Sequence, residues 1–255
     1  MGTLDGRVAF VTGGGQGIGL GIARALASQG ADVCLAERDP ERAEQAAREI
    51  EALGVRALGV PTDVSRREDI QSAIDTTLRV LGRLDILVNN ATGAGPDSFR
   101  PLLEQSLEHW ERQLGVDVLG SLHCLQLCHP HLAAGGVGRV ISICSEAGSE
   151  RSSGFAAYAA AKEALRALTG VVAREWGADG ITANVICPTA ITPATAGFLE
   201  RNPVQAEQVL ATKAIPRHGE AEADIGGVAA FLASDAASYM TGQTLWVDGG
   251  HIIHS

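Results

Sequence analysis

The chain holds 255 residues, 45% of them hydrophobic and 20% charged, enough apolar mass to close a sizeable core as one large unit. Aromatic residues make up only 4%, so Ala, Val, Leu and Ile must build that core, and an aromatic platform for nucleic acid is disfavoured. Lys and Arg number 20 against 30 Asp and Glu, and the resulting formal charge of −10 repels polyanions, which argues against nucleic acid and anionic membranes as partners.

Strand-like and helix-like stretches alternate from end to end, the pattern of a doubly wound parallel sheet with helical crossovers on both faces. Residues 8–12 predict a first strand and 18–28 a helix. Residues 32–37 follow as a strand, then a proline-opened helix over 40–53 and a strand over 56–60. A helix over 66–81 stops near Gly82, and 84–89 is a strand. One long helix is expected over 107–132, with Pro130 able to kink or end it. A strand over 137–143, a long helix over 153–176, a strand over 181–186, a helix over 222–233 and a strand over 243–247 complete about seven strands. The whole chain, 1–255, reads as a single α/β domain, within which the irregular stretch 188–216 is expected to form a substrate-binding loop or lid. No stretch reaches about 18 apolar residues, and the opening residues show neither a secretory leader nor a myristoylation pattern, so the cytoplasm is the expected location.

The run Thr12-Gly13-Gly14-Gly15-Gln16-Gly17-Ile18-Gly19 lies between the first strand and first helix. Missing side chains there let a backbone turn approach a pyrophosphate at a positive helix N-terminus. No Gly-Lys-Ser/Thr follows, which disfavours a P-loop nucleotidase. Glu37, 20 residues after Gly17, closes the second strand, where a carboxylate can accept from a ribose diol and repel a 2′-phosphate. That favours NAD, whereas Arg38 could clamp the 2′-phosphate of NADP.

Tyr158 and Lys162 are one of two tyrosines and one of two lysines in the chain, and they lie four residues apart. On a helix this spacing puts both on one face, where an ammonium can bias a phenol toward phenolate and donate to a ribose. The pair reads as general acid/base machinery. A methyltransferase, which would also use a glycine-rich turn and an acid after the second strand, leaves the pair unexplained. A non-catalytic NAD(P)-binding or scaffold protein stays open as the alternative.

Together these motifs resemble the short-chain dehydrogenase/reductase superfamily over nearly the full chain. The similarity rests on the 12–19 turn, Asp63-Val64, Asn89-Asn90-Ala91, Ser145 thirteen residues before Tyr158, Lys162, Asn184 with Pro188, Thr192, and Val247-Asp248-Gly249-Gly250. It implies a Rossmann-type sheet, direct hydride transfer between a secondary alcohol or ketone and NAD(P), and a homotetramer assembled partly through two long helices. It also implies roles. Ser145, Tyr158, Lys162 and Asp117 would be the catalytic set; Gly13, Gly15, Gln16, Gly17, Ile18, Gly19, Glu37, Arg38, Asp63, Val64, Asn90, Ala91, Pro188, Ile191 and Thr192 would line the cofactor, with Tyr158 and Lys162 touching it too.

Three positions depart from the family pattern. Asp117 stands where an Asn supports a water-mediated proton path to the lysine. As an ionised acceptor it would partly neutralise Lys162 and make the chemistry slower or more alkaline. Thr92 and Thr189 replace glycines and narrow the space near the nicotinamide. Five cysteines, Cys34, Cys124, Cys128, Cys144 and Cys187, are scattered through apolar segments. They read as reduced core residues, and His123, Cys124, Cys128 and His129 as packing rather than metal ligands, so no metal is expected.

Overall fold

A computed structural model describes residues 2–95, 98–192, 207 and 210–253. Its main sheet is parallel throughout, with seven strands in the order β3-β2-β1-β4-β5-β6-β9. These are β1 (Val8–Thr12), β2 (Asp32–Glu37), β3 (Ala57–Pro61), β4 (Ile86–Asn89), β5 (Arg139–Ile143), β6 (Thr182–Pro188) and β9 (Thr244–Val247). A separate two-stranded ribbon pairs β7 (Ala190–Ile191) with β8 (Gly219–Glu220).

Alternation along each strand sends successive side chains to opposite faces, and each face has its own core. Ala9, Val11, Val33, Leu35, Ile86 and Val88 pack with Ile22 and Leu26 of α1 (Gly17–Ser28) and with Leu232 of α8 (Gly227–Ala233). Val8, Phe10, Cys34, Ala36 and Leu87 meet Ile70 and Ile74 of α3 (Arg67–Leu81), Leu125 of α5 (Ser121–Ala134) and Val172 of α7 (Ala156–Glu175). Strands buried on both sides account for the near-continuous apolar runs in the sequence.

Local signals set the helix ends. Asp39 caps α2 (Pro40–Glu51) by accepting from the backbone N–H of Glu41 and Arg42, with Pro40 at the first helical position. Gly82, at φ 89°, stops α3.

The expected helix over 107–132 is three pieces. α4 (Leu107–Leu114) leads into a π-helical turn (Gly115–Gly120) and then into α5, which runs through Pro130 to Ala134. Pro130 lies so near the end that little helix remains to be disrupted. The helix expected over 153–176 is α7, a single unbroken helix. A short α6 (Glu146–Glu150) precedes it, Arg151 at φ 55° and Gly154 at φ 87° turn the chain, and α7 begins only at Ala156. Residues 222–233 open with a π-helical turn (Ala221–Gly226) before α8. Of the stretch 188–216, residues 193–206, 208 and 209 lie outside the described residues.

β1 is the switch point, because β2 and β3 extend the sheet on one side of it and β4 on the other. Thr12 ties the crevice there. Its hydroxyl donates to Val88 O at 3.1 Å and accepts from the backbone N–H of Asn90 and Ala91 at 3.0 and 3.1 Å.

Candidate active site

The turn after β1 is built by absence of side chains. Gly17 sits at φ 56°, in the left-handed region, and a β-carbon on Gly19 would lie 2.3 Å from Gly13 O. Gln16 is exposed and caps α1 without any side-chain hydrogen bond, so no side chain covers the first backbone N–H groups of the helix. Ile18 is half-buried. Asn90 stands beneath, its amide donating to Thr12 O at 2.9 Å and Gly13 O at 3.0 Å, so this side chain braces the turn.

Glu37 is buried and turned toward Gly15. Its two oxygens each accept one backbone N–H at 3.2 Å, from Gly15 and from Asp39. Each oxygen keeps acceptor capacity for a ligand hydroxyl. Arg38 is exposed. The Asp63 carboxylate is engaged locally by Ser65 N–H and hydroxyl at 3.0 and 2.7 Å, while Val64 is buried in the second core. Ala91 packs on that core, Pro188 ends β6, Ile191 is exposed, and the Thr192 methyl faces Gly17 across the mouth of the turn.

A second cluster forms where β5, α7 and the π-helical turn meet. Ser145 follows β5 and starts α6 by accepting from Ala147 N–H at 3.2 Å; it also shares a hydrogen bond with the hydroxyl of Tyr158. Tyr158 lies in the first turn of α7, with Lys162 one turn on and its ammonium 5.5 Å from the phenol ring centroid. Lys162 Nζ donates to Ile143 O at 3.1 Å and pairs with Asp117 Oδ2 at 2.9 Å. Two of its three N–H protons are thereby used, leaving one for a ligand hydroxyl.

Asp117 is fully buried and surrounded by donors. Besides Lys162, it accepts from the Thr92 hydroxyl at 3.0 Å, Gly93 N–H at 2.7 Å and Gln113 Nε2 at 2.8 Å. Burial pushes Tyr158 up; Lys162 and the Ser145 hydrogen bond pull it down, and Asp117 pushes it up again, leaving it above the usual phenol value. Burial alone would lower Lys162, but the Asp117 carboxylate and the phenol outweigh it and hold the ammonium above the usual lysine value.

Several side chains of this site carry no motif. Phe99 and Phe155 set their rings 6.1 and 6.3 Å from that of Tyr158 and 4.5 Å from each other, giving the phenol an apolar flank. Phe155, three residues before Tyr158 in an aromatic-poor chain, was a legible hint. Gln113, four residues before Asp117, was another. Phe198 and Leu199, apolar residues within the expected 188–216 loop, lie outside the described residues. The four histidines and cysteines of 123–129 do not converge as a group: Cys124 and Cys128 are buried in the second core, whereas His129 pairs with Asp179 at 3.0 Å. Burial pushes the Cys124 thiol up to about 12.

Residues 13–251 match the family model described as enoyl-(acyl carrier protein) reductase. A 12α-hydroxysteroid dehydrogenase from Clostridium sp. is 36% identical over 257 residues, covering 98% of each chain. The chain belongs to the short-chain dehydrogenase/reductase superfamily. A solved 7α-hydroxysteroid dehydrogenase, complexed with NADH and 7-oxo glycochenodeoxycholic acid, superposes with a TM-score of 0.91 at 33% identity, covering 97% of this chain and 94% of the other. An NAD⁺-bound xylitol dehydrogenase gives 0.88 at 30% identity, covering 97% and 99%. Both solved structures thus match the fold seen here over nearly its full length, and no helix among the described residues is long and apolar enough to cross a membrane.

Proposed function

We propose that the protein is an NAD(P)-dependent oxidoreductase that interconverts a secondary alcohol and a ketone, with Tyr158 as the proton carrier. The observation that carries this reading is the convergence of Ser145, Tyr158 and Lys162 in one cluster at the carboxyl edge of the sheet, the edge that also holds the glycine turn. Open sheets of this kind bind ligands there.

The residues present fit a dinucleotide. The turn leaves its helix N-terminus open to a pyrophosphate, Glu37 retains acceptors for a ribose diol, and Lys162 retains one donor for a second ribose. Glu37, buried and aimed at the turn while Arg38 faces solvent, favours NAD over NADP. A bound nicotinamide supplies the hydride donor or acceptor. Ser145 positions the substrate oxygen by hydrogen bonding, and Tyr158 Oη gives that oxygen a proton in reduction or takes it in oxidation. Phe99 and Phe155 offer an apolar wall beside the reacting carbon, which suits a cyclic or otherwise apolar ketone.

Exposed Leu107, Leu119 and Val171 on the 107–120 segment and α7 support assembly as a homo-oligomer, the tetramer that the family resemblance implies. The Lys162–Asp117 pair is the one feature that favours a non-catalytic dinucleotide-binding protein, since it offsets the ammonium beside the phenol. Oxidation of NADH or NADPH in the presence of a panel of cyclic and steroidal ketones decides between them. Turnover that falls by about 10²–10⁴ in Tyr158→Phe supports the enzyme; cofactor binding without turnover on any ketone supports the alternative.

A further inference from the structure

Two of the departures from the family pattern meet in space. The Thr92 hydroxyl accepts from Ala94 N–H at 3.2 Å, so its own proton goes to Asp117, 3.0 Å away. With Gly93 N–H, Gln113 Nε2 and Lys162 Nζ, every side-chain contact of Asp117 is with a donor, so what they hold is the carboxylate. Among the described residues, the charged and titratable groups that act on Tyr158 are Lys162 on its own helix, Asp117 on the π-helical turn and Cys144 just after β5, beside the neutral hydroxyl of Ser145. Phe99 and Phe155 contribute no charge.

We propose that Asp117 is a positioning residue that, fixed by Thr92, Gly93 and Gln113, draws the charge of Lys162 away from Tyr158 and so holds the phenol protonated, confining the phenolate that alcohol oxidation needs to alkaline pH. In reduction the O–H bond of Tyr158 breaks and its proton passes to the ketone oxygen, as the carbonyl carbon takes up a hydride from the reduced nicotinamide. Oxidation reverses the same bonds and needs the phenolate, which Lys162 alone would favour and the adjacent carboxylate disfavours.

The inference rests on Tyr158 as proton carrier, and its test reads the phenol directly without cofactor. Tyr239 is fully exposed, so Tyr239→Phe leaves Tyr158 as the one tyrosine of the chain, and the ultraviolet absorbance of tyrosinate then reports that group alone. Asp117→Asn in this background is expected to lower the titration of Tyr158 by about one pH unit or more, and to move the acid limb of the pH profile of alcohol oxidation to lower pH by a similar amount. Thr92→Val, which removes a donor but keeps the ion pair, is expected to move the titration by less than about 0.3 unit, as a neutral hydrogen bond would. A phenol unmoved or raised in Asp117→Asn overturns the assignment, as does a Thr92→Val shift equal to that of Asp117→Asn, which would make packing the cause. Asp117→Ser carries the same arm if circular dichroism shows the Asn variant unfolded. Failure of this titration leaves the Tyr158→Phe kinetics standing, and the two readings fail separately.

Discussion

Two buried carboxylates serve opposite ends of the crevice and are held in opposite ways. Glu37 receives two backbone N–H groups at 3.2 Å, neither of them a cation, and retains free acceptor capacity. Asp117 receives an ammonium, a hydroxyl, an amide and a backbone N–H, all within 3.0 Å, and is saturated. A carboxylate with open lone pairs can recognise a ligand, whereas a saturated one can act only through what it holds. In the proposed function Glu37 therefore belongs with cofactor selection and Asp117 with the electrostatics of Lys162.

The sharpest break in this comparison should come from removing one partner of the saturated group. Lys162→Met leaves Asp117 buried with its cation gone and is expected to cost about 3–5 kcal/mol in denaturant unfolding, while Glu37→Gln, which keeps an acceptor for only one of the two N–H groups, costs about 1–2 kcal/mol. The double variant Lys162→Met with Asp117→Asn recovers much of the loss, because no isolated charge remains. Linkage adds a pH signature. The folded value of Lys162 is raised above its unfolded value, so the stability it contributes is complete below about pH 10.4 and is lost as pH rises through the higher folded value. Alkaline unfolding should therefore come earlier in Asp117→Asn than in the parent. Equal stability losses in Lys162→Met and Glu37→Gln would erase the distinction between the two carboxylates.

The cofactor end gives a smaller, functional effect. Glu37→Ser removes a negative charge beside the expected ribose site while Arg38 stays exposed close by. The ratio of Kd for NADPH to Kd for NADH, measured by fluorescence titration, is expected to fall by about tenfold or more, equivalent to about 1.4 kcal/mol. A ratio that does not change would take the discrimination away from Glu37.

Much of the sheet could be read in advance because its strands are buried on both faces, so the apolar runs at 8–12, 32–37 and 181–186 leave little choice of element. The glycine turn and the Tyr158–Lys162 spacing were legible for a related reason, since each needs residue types fixed by close approach or by one helical turn. The surroundings of Asp117 were not. Nothing in the residues Gly115 to Gly120 distinguishes a π-helical turn from an α-helical one, and the wider turn that sets Asp117 against Lys162 accompanies packing between α7 and the 107–134 segment, which no local pattern records. Nor does sequence separation reveal that Thr92, 25 residues before Asp117, would donate to it. The short α6 was hidden because Ser145, read as a partner of Tyr158, also serves as its helix cap.

A third carboxylate supplies the exposed limit of the comparison and the smallest expected effect. Asp224 accepts from Arg217 through both oxygens at 2.6 and 2.7 Å and from Glu220 N–H at 2.7 Å, and these bonds lower it from 3.8 to about 2. Its folded value is depressed, so whatever stability it contributes is present above the unfolded value near 3.8 and fades as pH falls toward 2. The Arg217 side chain is more than half exposed, however, and solvent screens the pair, unlike that of Lys162 and Asp117. Asp224→Asn should therefore lower the thermal midpoint at neutral pH by less than either buried-site change, and the difference should vanish at acid pH or in high salt. The Lys162→Met deficit persists in the same salt, because no counterion reaches a carboxylate with zero exposure. If added salt relieved both deficits alike, burial would not be what separates Asp117 from the carboxylates at the surface.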